Sequence, residues 1–464
     1  MTPPQAHPYM ANSAPELRQE LLDAVGVDDP EELFVQIPAD HRLQGELRLP
    51  RALASEAELS RHLRQVLRRN VSTEDALSFL GGGVWPHHVP AVCDEIAQRT
   101  EFVTSEWGTP ASDHGRNQAW FEFASQLGEL LDLDFVGLPV YSWGCAAGHA
   151  IRMAARITGR GAVLVPADLD PERLAVIRTY CAPPQMERHL DVAEVAVDPT
   201  GRLDLADLRA RLGDTVAAVY LETPNALGVI ETEVEQAAAA ARAAGAETIL
   251  GVDPISLGVL ARPGRLGADI AVGSTQPLGV HMHCGGGVGG FIATRDEERY
   301  ARQYPTLQVS IAPTIVPGER GFTMTLFEQS SYGSRENGRD WTGNSVYLWT
   351  VVNAVYLSLM GPHGLRELGE LILQRSHYAA ARLGELPGVS VRWGGFFKEL
   401  VVDLSGTGRR VADVDAALRE RGIFGGIDLS ARPGLDGCLL VCVTEVHAQE
   451  DIDRLVEALA EVTR

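Results

Sequence analysis

Lysine is almost missing from this sequence. The chain has 40 lysine and arginine residues, and because Lys398 in the segment FFKEL is the single lysine, the other 39 are arginine. A coding bias towards GC-rich codons accounts for most of such a skew. Coding bias alone does not usually remove an amine that catalysis needs, so a loop that lacks an expected lysine is informative.

Cysteine and long apolar runs are also scarce. Six cysteines are scattered through 464 residues and no two have C-x-x-C spacing. This pattern is typical of free thiols in a reducing compartment rather than of a disulfide framework. The sequence has no run of about 18 apolar residues, and no basic segment followed by an apolar run near its start. We therefore predict neither a transmembrane helix nor a signal peptide, and expect a cytoplasmic protein.

Positive charge is in deficit. The chain carries 62 acidic residues against 40 basic ones, a formal net charge of −22. This balance argues against nucleic acid and anionic membranes as partners, because both repel an acidic surface. The hydrophobic share of 45% is that of an ordinary globular protein.

The spacing of apolar segments predicts an α/β fold. Short apolar runs alternate with helical segments, which is typical of a mostly parallel sheet with helices on its faces. The predicted strands of this sheet cover residues 162–166, 192–197, 216–222, 248–253 and 268–272. We expect an N-terminal arm with helices at 1–75 that covers the sheet or wraps a partner subunit. A large α/β domain at 76–340 and a smaller C-terminal α/β domain at 341–464 follow, with residues 305–339 forming a crossing loop and some helix.

Polar residues follow several predicted strands at their carboxyl ends. These residues are Tyr141, Asn225, Asp253 and Gln276. Because parallel strands present their carboxyl ends at one edge of the sheet, we expect the four side chains to converge on a ligand site.

The segment around Asp253 has a more specific pattern. An aspartate at a strand end, a short strand and a polar loop, in this order, are typical of fold type I pyridoxal phosphate enzymes. In these enzymes the aspartate pairs with the pyridinium nitrogen and the loop supplies the lysine of the Schiff base. Here the loop reads Ser274, Thr275, Gln276 and Pro277, without a lysine. A site of this pattern cannot attach its coenzyme covalently by itself.

Several segments together resemble one family. They are SFLGGGVW at 78–85, RITGR at 156–160, TPNALGVIE at 223–231, VDPISLGVL at 252–260, RGFTMTL at 320–326, VYLSLMGPHGL at 355–365 and CLLVCVTE at 438–445. Over nearly its whole length the chain resembles subunit 1 of the two-subunit glycine decarboxylase, the P-protein of the glycine cleavage system. No single string carries this resemblance, but the set is specific.

The resemblance implies a fold, a partner and a reaction. The fold would be fold type I, and the chain would be the half of a pseudo-symmetric pair that lacks the coenzyme lysine. Subunit 2 would carry that lysine and the pyridoxal phosphate, in an α2β2 tetramer. The reaction would be decarboxylation of glycine, with the aminomethyl group passed to the lipoyl arm of the H-protein.

The resemblance also implies site residues. Asp253 and Asn225 match a relic of the coenzyme site, and Gln276 lies in its vicinity. The residues predicted to line the pocket are Tyr141, Ser142, His87 and Arg335. No residue of this chain is assigned a catalytic role, and no metal site is assigned. The segment His281, Met282, His283 and Cys284 offers metal-ligand types but lacks a fourth ligand at a telling spacing, so we interpret these residues as packing or pocket-lining.

Some loops depart from the family pattern. They are SEWGTPASDHG at 105–115, which contains Trp107 and His114, YSWGC at 141–145, and the segment from Arg335 that reads RENGRDWTGNS. Such loops face the active-site side of the fold. Two alternatives therefore stay open at this point: a diverged paralogue that acts on another amino acid in specialised metabolism, and a non-catalytic scaffold or regulatory pseudoenzyme.

Overall fold

The computed structural model describes residues 9–10, 13–45, 47–73, 75–102, 110–182, 184, 189–325, 334–342 and 346–464. The chain divides into two compact units, Met1–Val71 and Ser72–Arg464. Among the described residues, no helix combines the length and the apolar character that crossing a membrane requires. The domain limits at 75 and 340 stay predictions.

The first unit contains two amphipathic helices, α1 (Pro15–Val25) and α2 (Glu56–Leu67). The Ser55 hydroxyl accepts a hydrogen bond from the Glu58 amide at 3.4 Å and caps α2. The apolar side chains of α2 are between 42% and 61% exposed: Leu59, Leu63, Val66 and Leu67. Neither helix has a buried residue.

The second unit holds the remaining elements. Its strands are β1 (Leu77–Ser78), β2 (Phe135–Val136), β3 (Ala162–Pro166), β4 (Asp191–Val195), β5 (Val216–Thr223), β6 (Glu247–Val252), β7 (Ile270–Ser274), β8 (Gly290–Thr294), β9 (Gln308–Pro313), β10 (Arg320–Thr325), β11 (Ser390–Val391), β12 (Glu399–Asp403), β13 (Ile423–Phe424), β14 (Ile427–Asp428) and β15 (Cys438–Cys442). Its helices are α3 (Ala91–Ala97), α4 (Pro110–Leu131), α5 (Trp143–Thr158), α6 (Pro171–Cys181), α7 (Leu205–Arg211), α8 (Val234–Ala243), α9 (Glu298–Ala301), α10 (Leu348–Gly384), α11 (Val411–Glu420) and α12 (Gln449–Val462).

Within the described residues the main sheet has seven strands in the order β2-β8-β7-β6-β5-β3-β4. The five strands from β7 to β4 run parallel, while β2 and β8 are antiparallel to their neighbours. The predicted mostly parallel sheet is confirmed, and its strands fall within two residues of the predicted positions. The strands are apolar on both faces because both faces are covered.

The two faces of this sheet belong to two cores. On β6, Ile249 points into the core formed with α5 and α6, and Leu250 points into the opposite core with α4, α8 and α10. This alternation follows from the two-residue repeat of a strand. The buried Ala-rich start of α5 lets that helix pack closely on the sheet.

A smaller four-stranded antiparallel sheet has the order β11-β12-β15-β14. Its core includes the end of α10 and the apolar faces of α11 and α12. The helices predicted at 344–359 and 366–386 correspond to the two halves of α10, which meet at a kink where Gly361 has a φ of 56° and Pro362 follows.

Residues 305–339 were predicted to form a crossing loop with some helix, and this prediction was wrong for the part that contains β9 and β10. β9 and β10 form an antiparallel pair in register from Gln308 opposite Thr325 to Pro313 opposite Arg320. In the sequence, Val309 and Ile311 alternate with polar residues, as in a half-buried strand. This alternation is short, so it is only a weak indication of a strand.

Candidate functional site

The candidate site lies at the carboxyl ends of β3, β5 and β6. Because these strands are parallel, the residues that follow them meet at one edge of the sheet, where open α/β sheets bind ligands. The pocket there is lined by Trp85, Trp143, Arg173, Glu222, Asn225, Asp253, Lys398 and Glu399. The volume of the pocket that the centre of a water-sized sphere can reach is only about 20 Å³. This is room for about one water molecule.

Lys398 occupies the centre of this edge. It directly precedes β12, and its Nζ lies 2.9 Å from Oδ2 of Asp253 and 2.9 Å from Nε2 of His87. The same ammonium is 3.4 Å from the centroid of the Trp85 ring. Lys398 and Asp253 are each 2% exposed. The single lysine of the chain is therefore a buried cation held by a carboxylate, an imidazole and an aromatic face.

His87 connects this lysine to a second carboxylate. Its Nδ1 lies 2.8 Å from Oε2 of Glu445, a carboxylate oxygen that can only accept, so Nδ1 donates and Nε2 faces the Lys398 ammonium. Burial alone would raise the pKa of Glu445, but His87 and the backbone amide of His88 outweigh it and hold that pKa at about 2. The carboxylate thus stays ionised and fixes the ring orientation.

Gln276 holds Trp85 over the lysine. The Oε1 of Gln276 accepts from the Trp85 amide at 3.2 Å, and its Nε2 donates to the Trp85 carbonyl at 3.2 Å and to the Val280 carbonyl at 3.1 Å. The side chain is buried and is not among the residues that line the pocket. Gln276 therefore acts as a support for the loop that carries Trp85 and His87.

The side-chain amide of Asn225 connects its own loop to two other segments. Its Oδ1 accepts from the amides of Leu227 and Val229, both at 3.0 Å, and its Nδ2 donates to the Gly201 carbonyl and to Asp168. Asn225 and Asp253 line the same pocket, as the sequence predicts. Their role as a relic of a coenzyme site stays a prediction.

A second buried ion pair forms the wall of the pocket. Nη1 of Arg173 lies 2.7 Å from both carboxylate oxygens of Glu222, and its guanidinium stacks 4.0 Å from the Trp143 ring centroid. The hydroxyl of Tyr220 donates to Glu222 at 2.5 Å and accepts from Trp143 Nε1. Burial raises the pKa of Glu222, and the guanidinium opposes that shift.

Replacing Asp168 by asparagine should make stability less dependent on pH. Burial and then the nearby carboxylate of Glu222 raise the pKa of Asp168 to about 7. Because aspartate in the unfolded chain titrates near pH 4, the free energy of unfolding falls as pH rises from about 4 to 7. We expect Asp168→Asn to be more stable than the parent at pH 8, by on the order of 2 kcal/mol, and nearly equal to it at pH 4.

Urea unfolding between pH 5 and pH 8 measures this difference. The matched control is Asp214→Asn, which removes the same charge from an exposed position and should leave the pH dependence of the parent unchanged. An Asp168→Asn protein with the pH slope of the parent would contradict the assignment of a buried, proton-binding carboxyl group.

The other predicted pocket residues lie apart from the lysine. Tyr141 is 49% exposed, and the Ser142 hydroxyl caps α5 by accepting from the Cys145 amide at 3.3 Å. Arg335 is exposed with a φ of 47° and does not line the pocket. Trp107, like the rest of residues 103–109 and 343–345, lies outside the described residues, as does the side chain of His114.

The histidines considered as metal ligands have separate partners. Nε2 of His281 lies 3.0 Å from Oδ1 of Asp94, and the His283 ring stacks on Trp349 with centroids 5.1 Å apart. Cys284 is exposed in a left-handed conformation with a φ of 54°. Among the described residues, no group of three or more histidine, cysteine or acidic side chains is arranged to hold a metal ion.

Sequence reasoning missed the charged partners at this edge. Arg173, Glu222 and Glu445 were not singled out, and Lys398 was placed on a strand in the segment FFKEL without a link to Asp253. Two signals were available in the sequence: Arg173 in the first turn of the helix after β3, and Glu222 at the end of the otherwise apolar β5. A charged residue in a buried strand requires a partner of opposite charge.

The fold and the strand-end aspartate define the class of fold type I pyridoxal phosphate enzymes. Two solved structures share this fold at low identity: a sphingosine-1-phosphate lyase of Burkholderia pseudomallei (TM-score 0.64, 17% identity, 92% of this chain and 94% of the other) and a NifS-like protein (TM-score 0.59, 15% identity, 83% and 99%). They support the fold alone.

Relatives at higher identity define the family. The family model for the glycine cleavage system P-protein matches residues 8–459. Proteins named probable glycine dehydrogenase (decarboxylating) subunit 1 are 39% identical in Aeropyrum pernix and 36% identical in Metallosphaera sedula, each over 98% of this chain and 99% of the relative. A crystal structure of glycine decarboxylase (P-protein) in inhibitor-bound form matches with a TM-score of 0.86 and 34% identity, over 99% of this chain and 100% of the other. The chain belongs to the glycine cleavage system P-protein family.

Proposed function

We propose that this chain is the subunit of a two-component glycine dehydrogenase (decarboxylating) that does not carry the coenzyme lysine. A homologous subunit 2 would hold pyridoxal phosphate covalently, in an α2β2 assembly that passes an aminomethyl group to a lipoyl-bearing protein. When bound there, the coenzyme supplies an electron sink for the charge left by loss of the carboxylate. The full-length match to proteins named subunit 1 supports this function over a different amino acid substrate or a non-catalytic scaffold.

One observation carries the proposal. The loop after β7, where a fold type I enzyme has its coenzyme lysine, has the buried residue Pro277 in a run without lysine. Proline has no side-chain amine. A complete site for a covalently held coenzyme must therefore come from another polypeptide.

The residues of this chain do not fit the coenzyme in their own pocket. Asp253, the residue expected to face a pyridinium nitrogen, has Lys398 at 2.9 Å. With the side chains in these positions the pocket admits about one water molecule, because the centre of a water-sized sphere can move through only about 20 Å³ of it, and a substituted pyridine ring with a phosphate arm does not fit. We therefore derive no chemical step through coenzyme bound to this pocket.

The solvent-exposed apolar side chains of α2 support a permanent partner. The apolar side chains of α2, Leu59, Leu63, Val66 and Leu67, are all at least 42% exposed. Permanent interfaces bury such surface, because apolar area removed from water contributes about 25 cal/mol per Å². We propose that subunit 2 covers this face of α2.

The test compares the full chain alone with the chain co-produced with a lysine-bearing homologous subunit. We expect release of carbon dioxide from carboxyl-labelled glycine only from the pair, since the loop after β7 of this chain lacks the lysine that holds the coenzyme. Leu63→Glu should weaken the pair at least tenfold in Kd by placing a charge on the apolar face of α2. Analytical ultracentrifugation and glycine turnover measure the two effects.

The matched control is Arg61→Glu on the opposite, polar side of α2, which should leave assembly unchanged. Turnover of glycine by the unaccompanied chain would contradict the proposed function. A pair that does not assemble, or that turns over larger amino acids and not glycine, would also contradict it. Equal assembly of Leu63→Glu and the parent would contradict only the proposed position of the interface.

A further inference from the structure

Lys398 lies where a bound cation would be expected from the chemistry of the site. Asp253 follows β6 at the carboxyl edge of the sheet, and a carboxylate at this position pairs with the pyridinium nitrogen of pyridoxal phosphate in enzymes of this class. Here the nearest cation is the Lys398 ammonium, 2.9 Å from Oδ2 of Asp253. The lysine directly precedes β12 of the small sheet, so the cation and Asp253 come from different sheets.

The surroundings of the ammonium are built for a cation. The Trp85 ring lies over Nζ at 3.4 Å, and a cation facing an aromatic ring is attracted to its negative face. Gln276 fixes the backbone of Trp85 through two hydrogen bonds. Glu445 fixes His87 so that its Nε2 lone pair faces Lys398.

The same side chains leave no room for a second occupant. Gly81 lies so close to Glu399 that a Cβ built there would be 2.1 Å from Oε1, and the Gly82 amide donates to that oxygen at 2.6 Å. The start of β12 and the 81–85 loop are therefore in direct contact beside the lysine. The pocket that these segments help to line has room for about one water molecule.

We propose that Lys398 is a tethered cation that takes the place of a coenzyme pyridinium in this chain, neutralising Asp253 and filling the pocket. The pocket is a built site for an organic cation, and the chain supplies that cation from the residue directly before β12. Removal of the side chain would leave a site that accepts a small primary ammonium ion from solution. This inference concerns the pocket of this chain and holds whether or not subunit 2 is identified.

The nearly complete absence of lysine makes the first test direct. A folded chain has two kinds of amine, its α-amino group and the Lys398 ε-amine. We expect pyridoxal phosphate followed by borohydride to modify the folded full chain at the α-amino group and to modify Lys398 at less than a tenth of that extent. Unfolding in urea should expose Lys398 and bring the two modifications within twofold of each other, as read by peptide mass spectrometry.

The matched control for labelling is Arg410→Lys, which places an ε-amine on an exposed side chain with 78% accessibility. This added amine should be modified in the folded protein. Modification of Lys398 in the folded protein to the same extent as the amine at position 410 would overturn the proposal, because a tethered and enclosed ammonium cannot react with an aldehyde at that rate.

The second test asks whether the pocket binds a cation. Lys398→Ala should lower the Tm by roughly 5 °C, since it leaves Asp253 buried without its cation. Addition of n-butylammonium chloride at 50 mM should recover at least half of that loss, whereas 1-butanol at the same concentration should not. Lys398→Met should show a similar loss of Tm without recovery, because methionine fills the space that the added cation would need.

If Lys398→Ala does not fold, a variant without the charges of both Lys398 and Asp253 tests the same proposal. Lys398→Met combined with Asp253→Asn should have a Tm above that of Lys398→Met alone, since no buried charge is left unpaired. Two results would overturn the proposal: a Lys398→Met protein as stable as the parent, and a double variant no more stable than the single one. Neither result bears on glycine turnover by the assembled pair, so failure here is distinguishable from failure of the proposed function.

Discussion

Replacing Arg173 by methionine should lower the free energy of unfolding by about 3–5 kcal/mol. Nη1 of Arg173 lies 2.7 Å from both oxygens of Glu222, and both side chains are buried. Methionine keeps apolar contact with the Trp143 ring, but it leaves the Glu222 carboxylate in the pocket wall without a cation. The cost therefore comes from an uncompensated charge and not from lost packing. Urea unfolding followed by far-ultraviolet circular dichroism measures the difference.

Two further variants separate this cause from others. Arg178→Met removes an arginine from the same helix, α6, where its 2.7 Å contact with Glu194 is exposed, and should cost no more than about 1 kcal/mol. Arg173→Met combined with Glu222→Gln removes both buried charges and should recover more than half of the loss. If the combined variant were no more stable than Arg173→Met, the loss would come from packing and the electrostatic explanation would be wrong.

Replacing Gly228 by alanine should lower the free energy of unfolding by at least about 3 kcal/mol. Gly228 has a φ of 81°, and an added Cβ would lie 1.9 Å from the carbonyl oxygen of Glu399. Its own carbonyl accepts from the Phe397 amide at 3.2 Å, so the loop after β5 is in contact with the segment that carries Lys398. Relief of the clash must displace that segment, because the obstacle is backbone.

Substitutions at two other glycines separate the conformational cost of a left-handed residue from the cost of the clash with Glu399. Gly159 has a φ of 70° with open space around it, so Gly159→Ala should show only the conformational cost of about 1–2 kcal/mol. Gly213 has open space and no left-handed φ, so Gly213→Ala should be within about 0.5 kcal/mol of the parent. Chemical denaturation gives the three values. A Gly228→Ala protein no less stable than Gly159→Ala would show that the contact with Glu399 is not tight.

Much of the fold could be predicted because its signals are local. The strands β3 to β7 appear in the sequence as apolar runs, and the helices between them begin at recognisable caps, such as Asp170 before α6. These signals depend on residues within a few positions of each other. The β9 and β10 pair was missed because its strands are partly exposed and its period of two is short.

The candidate site could be predicted only in part. Asp253 and Asn225 could be placed at one edge of the sheet, since parallel strands fix where their carboxyl ends lie. The use of their side chains could not be predicted. The side chain of Asn225 bonds its own loop through Oδ1 and bonds Gly201 and Asp168 through Nδ2. Gln276 supports Trp85 and does not line the pocket.

The sequence by itself determined that this chain has an α/β fold of the pyridoxal phosphate class without an amine in the loop that ends at Pro277. Those properties depend on residue identity and short-range periodicity, which are visible along one chain. Only the tertiary structure decided what neutralises Asp253. Lys398 reaches it from another sheet, and His87 and Glu445, which are 358 residues apart, fix its position. Such contacts arise from the packing of distant segments, and no local pattern encodes which buried charges will meet.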